Sequence, residues 1–423
     1  MNNLDLFCNF EEIRDRDYVI ATYYCHECTE GEVVRKATTF ASGQTLGTWI
    51  NVPNITAEMN RKHLAKIVDI IRIPPSDIAS SSDCRDAYII SLAFPIINFG
   101  LNIPMMLTTL LGNDASTSSQ LKLIDITLPD AILSTLHGPG FGIDGLRALT
   151  NASDRPLVLN MIKPCIGLSP QEGAAVFYET ALGGVDIIKD DELLGNTAFS
   201  PLTERVAAYR GAADRAYEKT GKRTLYAANV TDRADHIIDN AKTAEEQGAD
   251  IVMVNYAVTG YGMIEAVAEA VSIPVLGHYA GSSFWSESAV SGIACSLANG
   301  KLPRLCGADI AIINTPYGNY PLCHSSYMNT AKALNIPLGT IRRAWPGVGG
   351  GVHPAMVEQF VADLGCDIVL AVGGAVQGHP SGASAGARAM VAAAEAAANG
   401  ISADEMAQNI PELKEALKLW KKR

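Results

Sequence analysis

From about residue 155 onward the chain repeats one pattern eight times: a short apolar run, then a helical stretch rich in Ala, Glu and Lys. The runs are 156–163, 185–189, 223–229, 250–256, 273–278, 309–314, 343–348 and 367–372, and helices are predicted between them, for example over 202–220 and 233–247. Short β-branched runs read as buried strands. Eight β/α units in about 240 residues are what a closed (β/α)8 barrel requires. Alternating units also suit an open doubly wound sheet. The count of eight, and the lack of a GxGxxG after the first run, favour the barrel. Before it, residues 18–24, 87–95 and 120–127 read as strands among polar helical stretches, and Gly138-Pro139-Gly140-Phe141-Gly142 marks a turn-rich junction. The fold class expected is therefore α/β: an N-terminal α+β domain of ferredoxin-like type at 1–145, a TIM barrel at 146–395, and a helical, basic-ended tail at 396–423.

In such a barrel, chemistry gathers at the carboxyl ends of the strands. The second run, Gly183-Gly184-Val185-Asp186-Ile187-Ile188-Lys189-Asp190-Asp191-Glu192, ends in one lysine and three consecutive carboxylates. Adjacent carboxylates repel one another, and desolvating each costs on the order of several kcal/mol. A hard cation such as Mg²⁺ removes that cost, because it prefers oxygen ligands. The lysine has two options. It pairs with a carboxylate, or as a neutral amine it reacts with CO₂ to give a carbamate, which adds another oxygen ligand. On the same rim the first run ends at Lys163 and the fifth at His278. The seventh leads into Gly349, Gly350 and Gly351, and the eighth into Gly373 and Gly374. Backbone N–H groups at glycine turns approach a phosphate closely, and the last two barrel loops are the usual phosphate site. Each feature alone has a structural explanation: a paired lysine, a satisfied core histidine, an ordinary turn. Their joint placement at the strand ends of one barrel points to a site.

A formal net charge of −12 argues against nucleic acid as the main partner, but leaves room for a small phosphorylated substrate. The nine cysteines are odd in number and irregularly spaced, so they read as reduced thiols in a cytoplasmic protein. Cys25 and Cys28 flank His26, but no second Cys/His pair follows at the spacing of a zinc site. The polar, acidic start is not a signal peptide, and no unbroken apolar run of about 18 residues marks a membrane span.

These residues resemble the large subunit of ribulose-bisphosphate carboxylase, and more closely its RuBisCO-like relatives, over nearly the whole chain. Residues 183–192 match the family's metal-site motif. The resemblance implies that Lys189 is carbamylated and that Lys189, Asp191 and Glu192 bind Mg²⁺, with Asp190 a neighbour. Ile162-Lys163-Pro164 is similar to the strand carrying the family's general acid/base lysine, and Gly277-His278 to its strand-five histidine. Thr48, Trp49 and Asn113 match N-terminal residues that complete the partner subunit's active site, which implies a homodimer with shared sites. Gly350, Gly351, Gly373 and Gly374 match glycines around one phosphate.

The departures carry as much information. Cys165 stands where carboxylases have a second lysine, and Gly349 where they have a serine. Tyr279 and Ile312 replace an arginine and a histidine that hold the second phosphate. Asn319 replaces the lysine of the mobile loop, and Gly43 the glutamate paired with it. The resemblance thus implies no ribulose-bisphosphate carboxylation, and a substrate with one phosphate. It implies an enediolate mechanism. Lys163 is the general acid/base, expected neutral at pH 7 because Mg²⁺ and burial lower its pKa, and His278 relays a proton or binds a hydroxyl. In the related 2,3-diketo-5-methylthiopentyl-1-phosphate enolases of methionine salvage, a lysine acts as base where this chain has Asn113. Other relatives isomerise 5-methylthioribulose-1-phosphate. Still others act as transcarboxylase/hydrolase or decarboxylase on 3-oxo-isoapionate 4-phosphate in apiose catabolism. Asn113, Lys163 and the single phosphate site make this last reaction the first expectation. A non-catalytic sugar-phosphate binder is the remaining reading.

Overall fold

The fold is that of a computed structural model, which describes residues 6–14, 16–47, 52–78 and 84–421. Thr48 and Trp49 lie outside the described residues. Among the described residues there are thirteen strands. In chain order they are β1 (Tyr18–Cys28), β2 (Lys66–Ile73), β3 (Asp86–Pro95), β4 (Leu121–Thr127), β5 (Leu157–Met161), β6 (Ile187–Lys189) and β7 (Leu225–Asn229). Then follow β8 (Ile251–Asn255), β9 (Val275–His278), β10 (Gly292–Ile293), β11 (Ile310–Asn314), β12 (Trp345–Gly349) and β13 (Val369–Val372). The chain divides into two compact units, Met1–Leu136 with Ser282–Ala298, and His137–Gly281 with Asn299–Arg423.

The first unit is built on a five-stranded sheet in the order β10-β4-β1-β3-β2. Its pairs are antiparallel apart from β10 with β4. Along β1 every second residue is buried: Val19, Ala21, Tyr23 and Cys25 share one face, as the two-residue period of a strand requires. The helix Glu30–Gly43 buries Val33, Ala37, Phe40 and Ala41 at helical spacing. Tyr23 meets Phe40 edge-on with ring centroids 5.1 Å apart, and its hydroxyl donates to Leu110 O at 2.9 Å. The helix starts at Thr29, whose side chain accepts from Glu32 N while Glu32 reaches back to Thr29 N. At the bulged end of β1 the buried Cys25 and Cys28 thiols lie 3.1 Å apart, while exposed His26 bonds Tyr24 OH at 3.1 Å.

Two strands here escape the sequence reading. In β2 the charged residues Lys66, Asp69 and Arg72 are three apart, which hides the two-residue alternation of a strand, and the register against β3 shifts between Ile67 and Asp69. β10 is only two residues long. It corrects the expected boundaries: residues 282–298, read as part of the barrel stretch, join the first unit because Gly292 and Ile293 pair with Lys122 and Leu123.

In the second unit eight parallel strands close in the order β11-β12-β13-β5-β6-β7-β8-β9. All eight apolar runs of the sequence become these strands. Alternate residues fill the barrel, among them Leu157, Leu159, Ile187, Ala227, Met253, Leu276, Ile312, Trp345 and Ala371. Buried Asp186 ties the run before β6 to its surroundings, accepting from Arg155 Nη1 at 2.7 Å, Lys222 Nζ at 2.9 Å and Val158 N at 2.8 Å. The C-terminal stretch folds back onto this unit through the helix Pro411–Trp420, which buries Leu413, Ala416 and Leu417. Among the described residues no helix is long and apolar enough to cross a membrane.

Candidate active site

Strand parity delivers the first functional side chains. Ile187 points into the barrel, so Lys189, two residues on, does too, at the carboxyl end of β6. The same argument carries Leu276 to His278, while Gly373 directly follows β13. Lys189 is fully buried; its Nζ donates to Asp190 O at 2.8 Å and lies 3.3 Å from Glu192 Oε2. Burial lowers its pKa, and the nearby carboxylates do not restore it. Asp190 has the opposite parity and turns away. It accepts from Arg205 Nε at 3.1 Å, Tyr226 OH at 2.9 Å and Asn229 N at 2.9 Å, so its oxygens are committed to the protein interior.

Asp191 faces Lys163. The Lys163 ammonium donates to Asp191 Oδ2 at 2.6 Å and to Cys165 Sγ at 3.0 Å. Burial works to lower the Lys163 pKa, but these bonds outweigh it and hold the group above the usual lysine range. The neutral Lys163 expected from the sequence presupposes Mg²⁺ on the neighbouring carboxylates, whereas here Asp191 is paired with the lysine. Partial burial does not discharge a lysine that keeps a carboxylate partner. Burial pushes Glu192 up, yet the Lys189 charge wins and keeps its carboxyl below the ordinary range. His278 is held well below the ordinary histidine pKa, first by burial and then by the Lys189 charge. Ala280 N donates to His278 Nδ1 at 3.2 Å, so the neutral ring carries its proton on Nε2, which is 3.5 Å from Glu192 Oε2.

Opposite this cluster lie the glycine loops. Gly350 and Gly351 have φ of +92° and +103°, a conformation that favours glycine. Asn319 N donates to Gly350 O at 2.7 Å, and a Cβ on Gly318 would fall 2.1 Å from that same oxygen. A Cβ on Gly373 would meet Lys163 Cε at 3.1 Å. Lys163, Lys189, Glu192 and His278 line one cavity of about 690 Å³ together with Gly349, Gly350, Gly351, Gly373 and Gly374. Met161, Tyr279, Ile312 and Ala371 give it an apolar side. Among the described residues that line it, Lys163 and Lys189 are the only lysine or arginine side chains. Inward parity along β5 and β13 could have singled out Met161 and Ala371. No sequence signal marked Tyr320, His353 or Trp420, which also line the cavity.

Asn113 belongs to the first unit, directly after Gly112, which caps the helix Ile103–Leu111. Nearby, a Cβ on Gly43 would lie 2.2 Å from Asp114 Oδ2, so the Asp114 carboxylate fills the space a side chain at 43 would need. Gln44 Nε2 donates to it at 3.2 Å.

Among the described residues, no group of three or more His, Cys, Asp or Glu side chains is arranged to hold a metal ion. The set at the end of β6 has two carboxylates, Asp191 and Glu192, and a lysine. It suits a cation if Lys189 becomes an oxygen donor, and burial favours the neutral amine that reacts with CO₂. A carbamate and two carboxylates are the oxygen donors that Mg²⁺ prefers.

Residues 142–420 match the family described as ribulose bisphosphate carboxylase large chain, catalytic domain, and residues 7–132 match its N-terminal domain. The chain is 40% identical over 418 residues to a ribulose bisphosphate carboxylase-like protein of Archaeoglobus fulgidus, covering 97% of this chain and 95% of that one. It is 35% identical over 366 residues to a 2,3-diketo-5-methylthiopentyl-1-phosphate enolase of Geobacillus kaustophilus, covering 86% and 88%. The crystal structure of a RuBisCO-like protein from Alicyclobacillus acidocaldarius superposes with a TM-score of 0.86 at 32% identity, over 96% of this chain and 100% of that one.

Proposed function

The chain belongs to the ribulose bisphosphate carboxylase large-chain family, among its RuBisCO-like members, and from that premise we propose that it enolises a singly phosphorylated ketone with the help of Mg²⁺. The first candidate substrate is 2,3-diketo-5-methylthiopentyl-1-phosphate. The observation that carries this reading is the grouping of Lys163, Lys189, Glu192 and His278 with two glycine loops around one cavity.

Carbamylated Lys189, Asp191 and Glu192 would hold the Mg²⁺. When bound there it supplies Lewis acidity at a substrate carbonyl. Lys163 holds a proton beside the reacting carbons and is the group placed to move it. Its strength as a base depends on how much of Asp191 it keeps as a partner. His278 presents Nε2–H towards the same point and is suited to donating to a substrate hydroxyl or enolate oxygen. The glycine loops accept the phosphate through backbone N–H groups. The apolar side formed by Met161, Tyr279, Ile312 and Ala371 offers no cation to a second phosphate, and it suits a substrate with an uncharged far end.

Exposed Ile166, Leu193, Phe199 and Val258 follow β5, β6 and β8, on the rim that carries the site, at 52%, 67%, 45% and 68% exposure. An apolar rim of this kind supports a homodimer, with Asn113 reaching the partner's site. Asn113 is also what favours a second reading, action on 3-oxo-isoapionate 4-phosphate, since the family's enolases use a lysine there. The enolase relative at 35% identity weighs towards the first.

Incubation in D₂O with MgCl₂, bicarbonate and 2,3-diketo-5-methylthiopentyl-1-phosphate should give metal-dependent deuterium uptake next to a carbonyl, followed by NMR. Cleavage of 3-oxo-isoapionate 4-phosphate with no such uptake would transfer the assignment to the second reading. Turnover of neither, with the cation shown to be bound, would remove the enzymatic proposal. In an enzyme, Lys163→Met should abolish turnover while phosphate binding measured by calorimetry persists.

A further inference from the structure

The C-terminal helix Pro411–Trp420 is held down by several side-chain contacts. His379 Nε2 bonds Glu412 O at 3.0 Å, Arg388 Nε donates to Glu412 Oε1 at 2.9 Å, and Ser381 Oγ donates to Glu415 Oε2 at 2.6 Å. Lys421, just past its end, pairs with Asp404. The helix buries Leu413, Ala416 and Leu417, so its packing is met before its last residue. That last residue, Trp420, is only partly buried, and it lines the catalytic cavity.

Trp420 lies flat against His353, with ring centroids 5.9 Å apart and planes 14° from parallel. His353 follows Gly351 by two residues, lines the same cavity, and opens the short turn Pro354–Met356. Its Nδ1 is buried and has no hydrogen-bond partner among the described residues. Buried polar nitrogens are nearly always bonded, so this one leaves the His353 ring without a bond that would fix its orientation at the cavity wall.

We propose that His353 and Trp420 form a further wall of the phosphate-binding pocket, so that the C-terminal helix takes part in ligand binding. The stack holds the imidazole at the cavity wall, and a turn of the ring brings a nitrogen to a phosphate oxygen held by the glycine loops. The indole closes the pocket against water. This inference rests on the reading that the glycine loops hold a phosphate.

The test is calorimetric titration of the full-length protein with inorganic phosphate, on the wild type and on Trp420→Leu and His353→Ala. Melting curves check that the variants fold. The expected result is at least a tenfold loss of phosphate affinity in each variant. Wild-type affinity in both folded variants would overturn the wall and leave the phosphate reading standing, whereas failure of the wild type to bind phosphate would overturn both. If the variants do not fold, fluorine NMR of wild-type protein labelled with 5-fluorotryptophan decides. The Trp420 resonance, assigned with Trp420→Phe, should move on adding phosphate, and an unmoved resonance overturns the proposal.

Discussion

Asp190 and Asp191 are neighbours in sequence with opposite fates, and one peptide of strand geometry separates them. Asp191 pairs with Lys163, which lines the cavity. Asp190 is buried against Arg205 and Tyr226, with neither member of the Asp190–Arg205 pair exposed to solvent. Removing one partner of a buried ion pair strands the other charge, at a cost of about 3–5 kcal/mol. Asp190→Ala should therefore lower the free energy of urea unfolding by roughly that amount. Tyr226→Phe, which deletes one hydroxyl, should cost about 1 kcal/mol. If Asp190 were a cavity-side group, its loss would reduce activity and leave stability unchanged. The cluster 189–192 was conspicuous in the sequence because charges rarely close a buried run. Which carboxylate faces which way follows from strand parity. The pairing of Lys163 was not legible, because its partners, Asp191 across the rim and the Cys165 thiol beside it, are set by the closure of the barrel.

At the level of elements, the loop after β11 and the loop after β12 are fitted to each other through glycine. Gly318 sits so close to Gly350 O that any side chain there must push the two loops apart. Gly318→Ala should raise KM for a phosphorylated substrate about tenfold, corresponding to roughly 1.4 kcal/mol of lost binding. The melting temperature should change little, because the loops lie outside the barrel core. Steady-state kinetics beside a thermal melt checks both parts, and an unchanged KM would show that the loop contact plays no part in binding. The eight barrel strands were readable because each is buried on both sides and so appears as a continuous apolar run, as in Ile251–Asn255 and Ile310–Asn314. β2 was hidden by the three-residue spacing of its charges and β10 by its brevity. The contribution of Trp420 was invisible because nothing local says where a terminal helix will dock.

For the molecule as a whole, acid sensitivity follows from charges sealed in the second unit. Burial raises the Asp186 pKa, but the hydrogen bond and charge of Arg155, with Lys222, outweigh it and leave the carboxyl below its usual value. The unfolded chain thus binds the proton more readily than the native one. This contribution to stability is complete above the unfolded pKa of about 3.9, and is lost as pH falls through the lower folded value. Asp186→Asn should destabilise the protein near neutrality, and its deficit relative to wild type should shrink below about pH 4. Urea midpoints measured across pH report this directly; a deficit that is constant with pH would exclude the linkage. The strand β10 has a consequence of another kind, for biosynthesis. Lys122 and Leu123 wait for Gly292 and Ile293 to complete the sheet. At about 5–20 residues per second, a ribosome needs on the order of ten seconds or more to supply them. Throughout that interval the nascent first unit exposes the unpaired edge of β4, a template open to non-native pairing until the distant strand is made.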